Sequence, residues 1–287
     1  MHDSVKRTAF MLILLFSFIF FMNIGQAEST DALPELYFHQ INIGCANANL
    51  ITVGDTVILV DCGTDTDAGL SNRPLLDYLA ASGIDHIDRW ILTHYHNDHA
   101  INLNVLLELY GTEDTVVLGP SARLPDRFLP LAAGSYIQLS EGDRFSFDGI
   151  DFLCLGPEPG DITGEFNKDS LNIRMDYGET SFMITGDCVA DNMLKRHPEE
   201  IADIDVLCFP HHGLVPYKIS QYILTRMNCS LVLVSSNAAG NIRVYCKNAG
   251  LTATVFCSGG SGNIVVTSNG RDLTTYEQVE PGQFALR

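Results

Sequence analysis

Six consecutive residues, His94-Tyr95-His96-Asn97-Asp98-His99, constrain this chain more than any other feature. They carry three imidazoles and a carboxylate, and they follow the compact, largely apolar run of residues 89–93 without a spacer. Buried polar groups need partners, so the strand must end here and deliver these side chains to an edge where partners can meet them. Along an extended strand end the side chains alternate, which puts His94 and His96 on one side. A turn into a helix then aims Asp98 and His99 at a neighbouring point. Nitrogen and oxygen donors gathered this closely suit divalent metals, whose ligands sit ~2 Å away.

Around this cluster the chain alternates short β-type runs with turn residues. Residues 37–43, 49–53 and 56–61 read as strands, with Gly54-Asp55 as the hairpin turn between the last two. Residues 72–82 place Leu75, Leu76 and Leu79 at helical spacing and stop at Gly83; residues 100–110 do the same before Gly111. Further strands are expected over 115–118, 136–138, 144–147 and 150–155. The second half repeats the outline. A hairpin of 171–177 and 180–185 turns at Gly178-Glu179, followed by a short helix over 191–197, a strand over 206–209 and a helix over 218–227. Strands over 231–235, 254–257 and 263–268 complete it. Two β-rich halves, each with helices, predict two sheets held between helical layers.

The hexapeptide resembles His-x-His-x-Asp-His, the signature of the metallo-β-lactamase superfamily. Three further segments follow in the superfamily's order and spacing: Ile58-Leu59-Val60-Asp61-Cys62-Gly63, Phe182-Met183-Ile184-Thr185-Gly186-Asp187, and the run from Asp205 into Pro210-His211-His212-Gly213. Within the superfamily the chain is most similar to the hydrolase domain of ComEC-type DNA-uptake proteins and its free-standing relatives. That likeness rests on His39-Gln40-Ile41-Asn42-Ile43-Gly44, Asp169-Ser170-Leu171, the His-His-Gly element and Gly262-Asn263-Ile264-Val265-Val266.

The resemblance implies an α/β fold, a four-layer αββα metallo-β-lactamase sandwich over residues 28–287, with a binuclear centre. His94 and His96 would hold one ion, Asp98 and His99 the other, and Asp187 would bridge them. One of His211 and His212 would complete the second site while the other gives a proton or hydrogen bond to the substrate. Two divalent ions, Zn or Mn, are the implied cofactors, and Asp98, His211 and His212 the implied catalytic residues. The implied reaction is hydrolysis by a metal-bound hydroxide, most simply of a phosphodiester. A carboxylic ester or lactone hydrolase of the same fold, or a non-catalytic module that retains metal, are the other readings.

The chain departs from the family pattern in four places. Residues 156–170 contain no His, where most members supply a ligand, so the first metal site is expected to be weak. Ala100-Ile101-Asn102-Leu103 stands where Gly-Gly is usual, Leu214 where Ser often follows His-His-Gly, and Gly44-Cys45-Ala46-Asn47-Ala48-Asn49 lacks the Gln-Gly-Asp character common there. Asp61 is expected to accept hydrogen bonds rather than to bind metal. His39, His86 and His197 read as structural and Trp90 as core.

At the N-terminus, Lys6 and Arg7 precede an apolar run over residues 8–24, and Gly25-Gln26-Ala27 offers small residues for cleavage after Ala27. Residues 1–27 therefore read as a signal peptide or an uncleaved membrane anchor, and the remainder as secreted or otherwise extracytoplasmic. Most of the eight cysteines (Cys45, Cys62, Cys154, Cys188, Cys208, Cys229, Cys246 and Cys257) sit in apolar runs and fit small buried hydrophobes. Export leaves disulfides open. Seventeen Lys and Arg against 35 Asp and Glu give a net charge of −18 without a basic stripe. The spots Lys195-Arg196 and 243–247 read as solvated surface. A small phosphodiester or ester is the expected substrate, and duplex nucleic acid, whose binding relies on phosphate neutralisation, an unlikely partner.

Overall fold

The computed structural model of the protein describes residues 33–128, 136–159, 162–187, 191–280 and 283–286. The signal or anchor segment and Cys188 lie outside the described residues. In chain order the strands are β1 (Leu36–Gln40), β2 (Asn49–Val53), β3 (Thr56–Val60), β4 (Arg89–Ile91), β5 (Val116–Pro120), β6 (Tyr136–Leu139), β7 (Arg144–Phe147) and β8 (Ile150–Gly156). Then come β9 (Asn172–Tyr177), β10 (Thr180–Thr185), β11 (Val206–Cys208), β12 (Leu231–Val234), β13 (Thr254–Cys257), β14 (Ile264–Ser268), β15 (Leu273–Glu280) and β16 (Gln283–Leu286). They form two sheets, ordered β16-β15-β14-β1-β2-β3-β4-β5-β6 and β13-β12-β11-β10-β9-β8-β7.

Strand periodicity builds four layers from these sheets. Leu36, Phe38, Ile51, Val53, Ile58 and Val60 point inward and meet Phe182, Ile184 and Val206 of the other sheet. The rings of Phe38 and Phe182 stack at 5.3 Å across the interface. Alternate residues Leu50, Val57 and Leu59 face outward onto Leu75, Leu79, Leu103 and Leu106 of helices α1 (Arg73–Ala81) and α3 (Leu103–Tyr110). On the second sheet, Met183 and Leu207 face out onto Ile223, Leu224 and Ile242 of α5 (Gln221–Met227) and α6 (Ala239–Asn248). Strands apolar on both faces are what a sheet covered on both sides requires. The result is the expected αββα sandwich.

Several boundaries differ from the sequence reading, each for a local reason. The helix expected over 100–110 is two pieces, α2 (Asn97–Ala100) and α3, because Asn102 is tied elsewhere. Its side chain donates to the Gly63 carbonyl and to Thr64 Oγ1, both at 2.8 Å, and its own N–H donates to the Cys62 carbonyl. The short helix expected over 191–197 is α4 (Asp191–Leu194), and helix α5 begins at Gln221, where the Ser220 side chain caps it, rather than at Lys218. Helix α6 and strands β15 and β16 have no counterpart in the sequence reading. Seven cysteines are free among the described residues, six of them buried, which fits small hydrophobes. No helix among the described residues is long and apolar enough to cross a membrane.

Candidate metal centre

Both sheets change from antiparallel to parallel pairing part-way across: at β3–β4 in the first, at β10–β11 in the second. Polar residues collect just past the carboxyl ends of these parallel strands, where α/β sheets place ligands. Asp61 follows β3, Thr93 and His94 follow β4, Asp187 follows β10, His211 and His212 follow β11, and Ser235 and Ser236 follow β12.

Asp61 sits in the left-handed region at φ 58°. Its carboxylate accepts the Thr93 N–H and hydroxyl, both at 2.8 Å, and meets His99 Nδ1 at 2.7 Å. A carboxylate only accepts, so Nδ1 of His99 carries a hydrogen, which turns Nε2 toward the cluster. Ser235 Oγ holds His212 Nδ1 at 2.9 Å, and Ser236 Oγ donates to the His212 carbonyl at 2.7 Å. The Asp187 N–H donates to Ser170 Oγ at 3.2 Å.

Two glycines set the backbone of the site. A Cβ at Gly63 would lie 1.8 Å from the Asp98 carbonyl oxygen. That close approach lets Cys62 N–H donate to the His99 carbonyl at 2.6 Å and Asn47 N–H to the Asp98 carbonyl at 2.8 Å. His211, His212 and Gly213 are consecutive left-handed residues, at φ 53°, 54° and 71°. Such a conformation costs a non-glycine residue ~1–2 kcal/mol, and here it folds the chain so that His212 returns to the ends of both sheets.

The donors converge. His94 Nε2 is 3.1 Å from His96 Nδ1 and 3.8 Å from Asp187 Oδ2. His99 Nε2 is 3.1 Å from Asp187 Oδ1 and 3.3 Å from His212 Nε2. His212 Nε2 is 3.3 Å from Asp98 Oδ2 and 3.7 Å from Asp187 Oδ2. Two sets could each hold one ion, His94/His96/Asp98 and Asp98/His99/Asp187/His212, the atoms of each set lying within 4.8 Å of one another. Ligands on a tetrahedral ion with bonds of ~2 Å are about 3.3 Å apart, which these spacings bracket. Asp187 Oδ1 is buried yet has no aligned hydrogen-bond donor, as a ligand oxygen held for a cation would be.

The electrostatics agree with that fit. Burial, reinforced by His99, holds the His94 imidazole well below its ordinary pKa and leaves it neutral. For His99 burial acts in the same direction, but the carboxylates of Asp187 and Asp61 overcome it and hold the ring well above its usual range. Burial pushes Asp98 up, yet the His212 hydrogen bond and the neighbouring histidines bring it down to about 2. Asp187 is likewise driven well below the carboxylate range by His99, His212 and His94 against the effect of burial. The centre favours positive charge, whether proton or metal.

Of the seven residues singled out in the sequence, six lie in these two sets, and Asp98 belongs to both. His211 stands at the margin. Its Nε2 is 3.9 Å from Asp187 Oδ2, it is 22% exposed, and its Nδ1 has no partner. His212, buried and facing Asp98, His99 and Asp187, is therefore the donor of the pair. In the stretch without a histidine, Phe166 sets its ring edge-on to His96 at 5.3 Å. His39, His86 and His197 lie elsewhere, against Tyr78, Asp85 and Glu141. Trp90 is fully buried in the core. The sequence reading passed over Thr93, Ser170 and Ser235. Ser235-Ser236 at the end of an apolar strand repeats the pattern that marks His94, and could have been read the same way. A cleft of about 610 Å³ opens over the centre, lined by His96, Asp98, His211 and His212 together with Cys45, Asp65, Asp67 and Leu214.

Two mixed sheets between helices, with an imidazole–carboxylate centre at their shared strand ends, define a metal-site α/β sandwich. The sequence profile of the Metallo-beta-lactamase superfamily matches residues 44–216, and the chain belongs to that superfamily. Within it the chain is ComEC-like. It is 27% identical over 235 residues to Recombination protein 2 of Haemophilus influenzae and 28% identical over 155 residues to ComE operon protein 3 of Bacillus subtilis. Those alignments cover 81% and 50% of this chain but only 27% and 19% of the relatives' lengths. Among solved structures, the metallo-beta-lactamase fold protein YhfI from Bacillus subtilis superposes with a TM-score of 0.58 at 17% identity, over 82% of this chain and 100% of its own. CmlA beta-hydroxylase superposes at 0.53 with 13% identity, over 78% of this chain and 52% of its own. Identities this low speak to shared fold alone.

Proposed function

We propose that this protein is an exported, metal-dependent phosphodiesterase for small substrates. The observation that carries the reading is the pair of adjacent donor sets sharing Asp98 at the floor of one cleft. His94, His96 and Asp98 would hold one divalent ion, and Asp98, His99, Asp187 and His212 the other. An all-nitrogen and oxygen donor set without thiolate suits Zn or Mn. Two such ions, when bound, lower the pKa of water and stabilise the charge that develops on a phosphoryl group.

The chain's own residues do the rest. Asp61 and Ser235 fix the rings of His99 and His212, so their donor nitrogens face inward without reorganisation. His211, outside both sets and lining the cleft, is placed to hold a proton at an imidazole nitrogen beside the leaving oxygen. Hydrolysis balances simply: the water oxygen forms a bond to phosphorus, the bond to one ester oxygen breaks, that oxygen takes up a proton, and the second proton of water is released. The acidic composition leaves few cations to neutralise successive phosphates, so duplex DNA is a poor substrate in this reading.

One observation favours a second reading. Among the described residues the cleft lining offers carboxylates at Asp65 and Asp67 and no Lys or Arg, which also suits an uncharged carboxylic ester or lactone. A hydrolysis screen on purified protein with Zn or Mn separates the two. A small aryl phosphodiester should be turned over, with loss on chelation, far better than plasmid DNA at physiological salt. Turnover of lactones alone would replace the first reading by the second, and bound metal without any turnover would leave a binding module. We further place the hydrolase domain, residues 28–287, outside the cytoplasm, released after Ala27 or held by residues 8–24. Mass spectrometry of the mature N-terminus, together with membrane fractionation, checks this.

A further inference from the structure

We propose that the loop of residues 162–170 positions His96 and, through Ser170, couples the two metal sites to each other; this inference rests on the reading that both donor sets hold ions. Of the six donors His96 alone is exposed to solvent, so its side chain has rotamer freedom to lose when an ion binds. The ring that flanks it is Phe166, edge-on at 5.3 Å. Phe166 in turn meets Tyr95 at 5.6 Å and 88°. Tyr95 is buried, and its hydroxyl donates to the Pro120 carbonyl at 3.1 Å. The apolar ring beside His96 therefore stands on a fixed support.

The loop itself is tied down. Asp169 is fully buried, and its carboxylate accepts the Thr163 N–H at 2.8 Å, the Thr163 hydroxyl at 2.9 Å and the Gly164 N–H at 2.8 Å. Ser170, also fully buried, joins the loop to Asp187. Its Oγ donates to the Phe166 carbonyl at 3.3 Å and accepts the Asp187 N–H at 3.2 Å. One hydroxyl thus links the residue beside His96 to the donor that faces His99 and His212. Both ends of that link are held: a Cβ at Gly186 would lie 2.6 Å from Ser170 Cβ, and the Leu171 N–H donates to the Thr93 carbonyl at 2.9 Å. Ser170 belongs to neither donor set. It is a positioning residue, acting on His96 through Phe166 and on Asp187 directly.

Calorimetric titration of the metal-free full chain with Zn tests the coupling, because it reads each binding step apart from turnover. Phe166→Ala should weaken the weaker step about fivefold and leave the tighter one unchanged. Phe166→Tyr, which keeps the ring, should bind as the wild type does. Phe166→Leu keeps apolar volume, guards against loss of the fold and should lose affinity as Ala does. Ser170→Ala should weaken both steps, each about threefold. In the double variant the weaker step should be no weaker than in Phe166→Ala alone, because Ser170 reaches His96 only through that ring. Additive losses, a weaker step unmoved by Phe166→Ala or Phe166→Leu, no rescue by Tyr, or a Ser170→Ala effect confined to one step overturns the inference and leaves the two-ion reading standing. A single binding step in the wild type removes that reading itself.

Discussion

His94 and His96 leave the same strand end two residues apart, and His96 is exposed to solvent; His99, Asp187 and His212 come from both sheets, and all three are buried. The two sets share Asp98 and differ in their support. Behind His99 stands Asp61, itself held by two hydrogen bonds from Thr93, and behind His212 stands Ser235. Among the described residues, His94 Nδ1 meets Thr93 Oγ1 at 3.3 Å, a longer contact than those behind His99 and His212, and the apolar ring of Phe166 stands edge-on beside His96. A donor set is easy to assemble from neighbours in sequence, but affinity comes from orienting each ring before the ion arrives. The set with long-range ligands is therefore the tighter one in this account, and the local set the weaker.

The sharpest break between the sets would come from Asp187, which faces both His94 and His99. Asp187→Ala should lose bound metal and lower turnover by about a thousandfold or more. Full metal occupancy in that variant, measured by elemental analysis after dialysis, would show that Asp187 is no ligand. Next in size are the late histidines. His212→Ala should empty the tighter set, whereas His211→Ala should keep its metal and lose about a hundredfold in kcat. Equal metal loss in the two variants would undo the division of roles drawn from their geometry.

Support residues should matter less. Asp61→Asn removes the charge behind His99 while preserving shape, and should weaken metal affinity about 10–100-fold. Unchanged affinity would mean that orientation of the His99 ring is not what separates the two sets. His39 provides the smallest effect on activity, because it belongs to neither set. Burial holds it at about 4, against an ordinary value of 6.5. Between those values the unfolded chain binds a proton that the folded chain refuses, so stability of the metal-free protein should fall as the pH is lowered across that window, by about 3 kcal/mol, and level off below it. Urea midpoints near pH 7 and pH 4.5 should draw closer together in His39→Gln; an unchanged gap would place the acid sensitivity elsewhere.

The same contrast governs what the sequence could reveal. His94 to His99 are consecutive, so their convergence was legible from strand and turn geometry alone. Asp187 and the late histidines lie more than eighty residues away, and only the family resemblance pointed to them. Which late histidine faces the centre depends on three successive left-handed residues, a conformation that residue type does not specify for histidine. Thr93 and Ser170 act through single hydroxyls, which carry no periodic signal, whereas Ser235-Ser236 closes an apolar strand and was legible by its position. In the fold, the short β-type runs and helical spacings of both halves announced two sheets between helical layers. Helix α6 was missed because Gly240, Asn241 and Asn248 blur its pattern, with only Ile242 and Cys246 buried. Asn102 broke a helical pattern through tertiary hydrogen bonds that spacing cannot show.

If the centre holds two ions unequally, a metal titration of the apo-protein will separate them. Calorimetry with Zn or Mn should resolve two ions per chain, the second at least about tenfold weaker, and His96→Ala should remove the weaker step while leaving the tighter one in place. A single binding step, or loss of the tighter step in His96→Ala, would contradict the account.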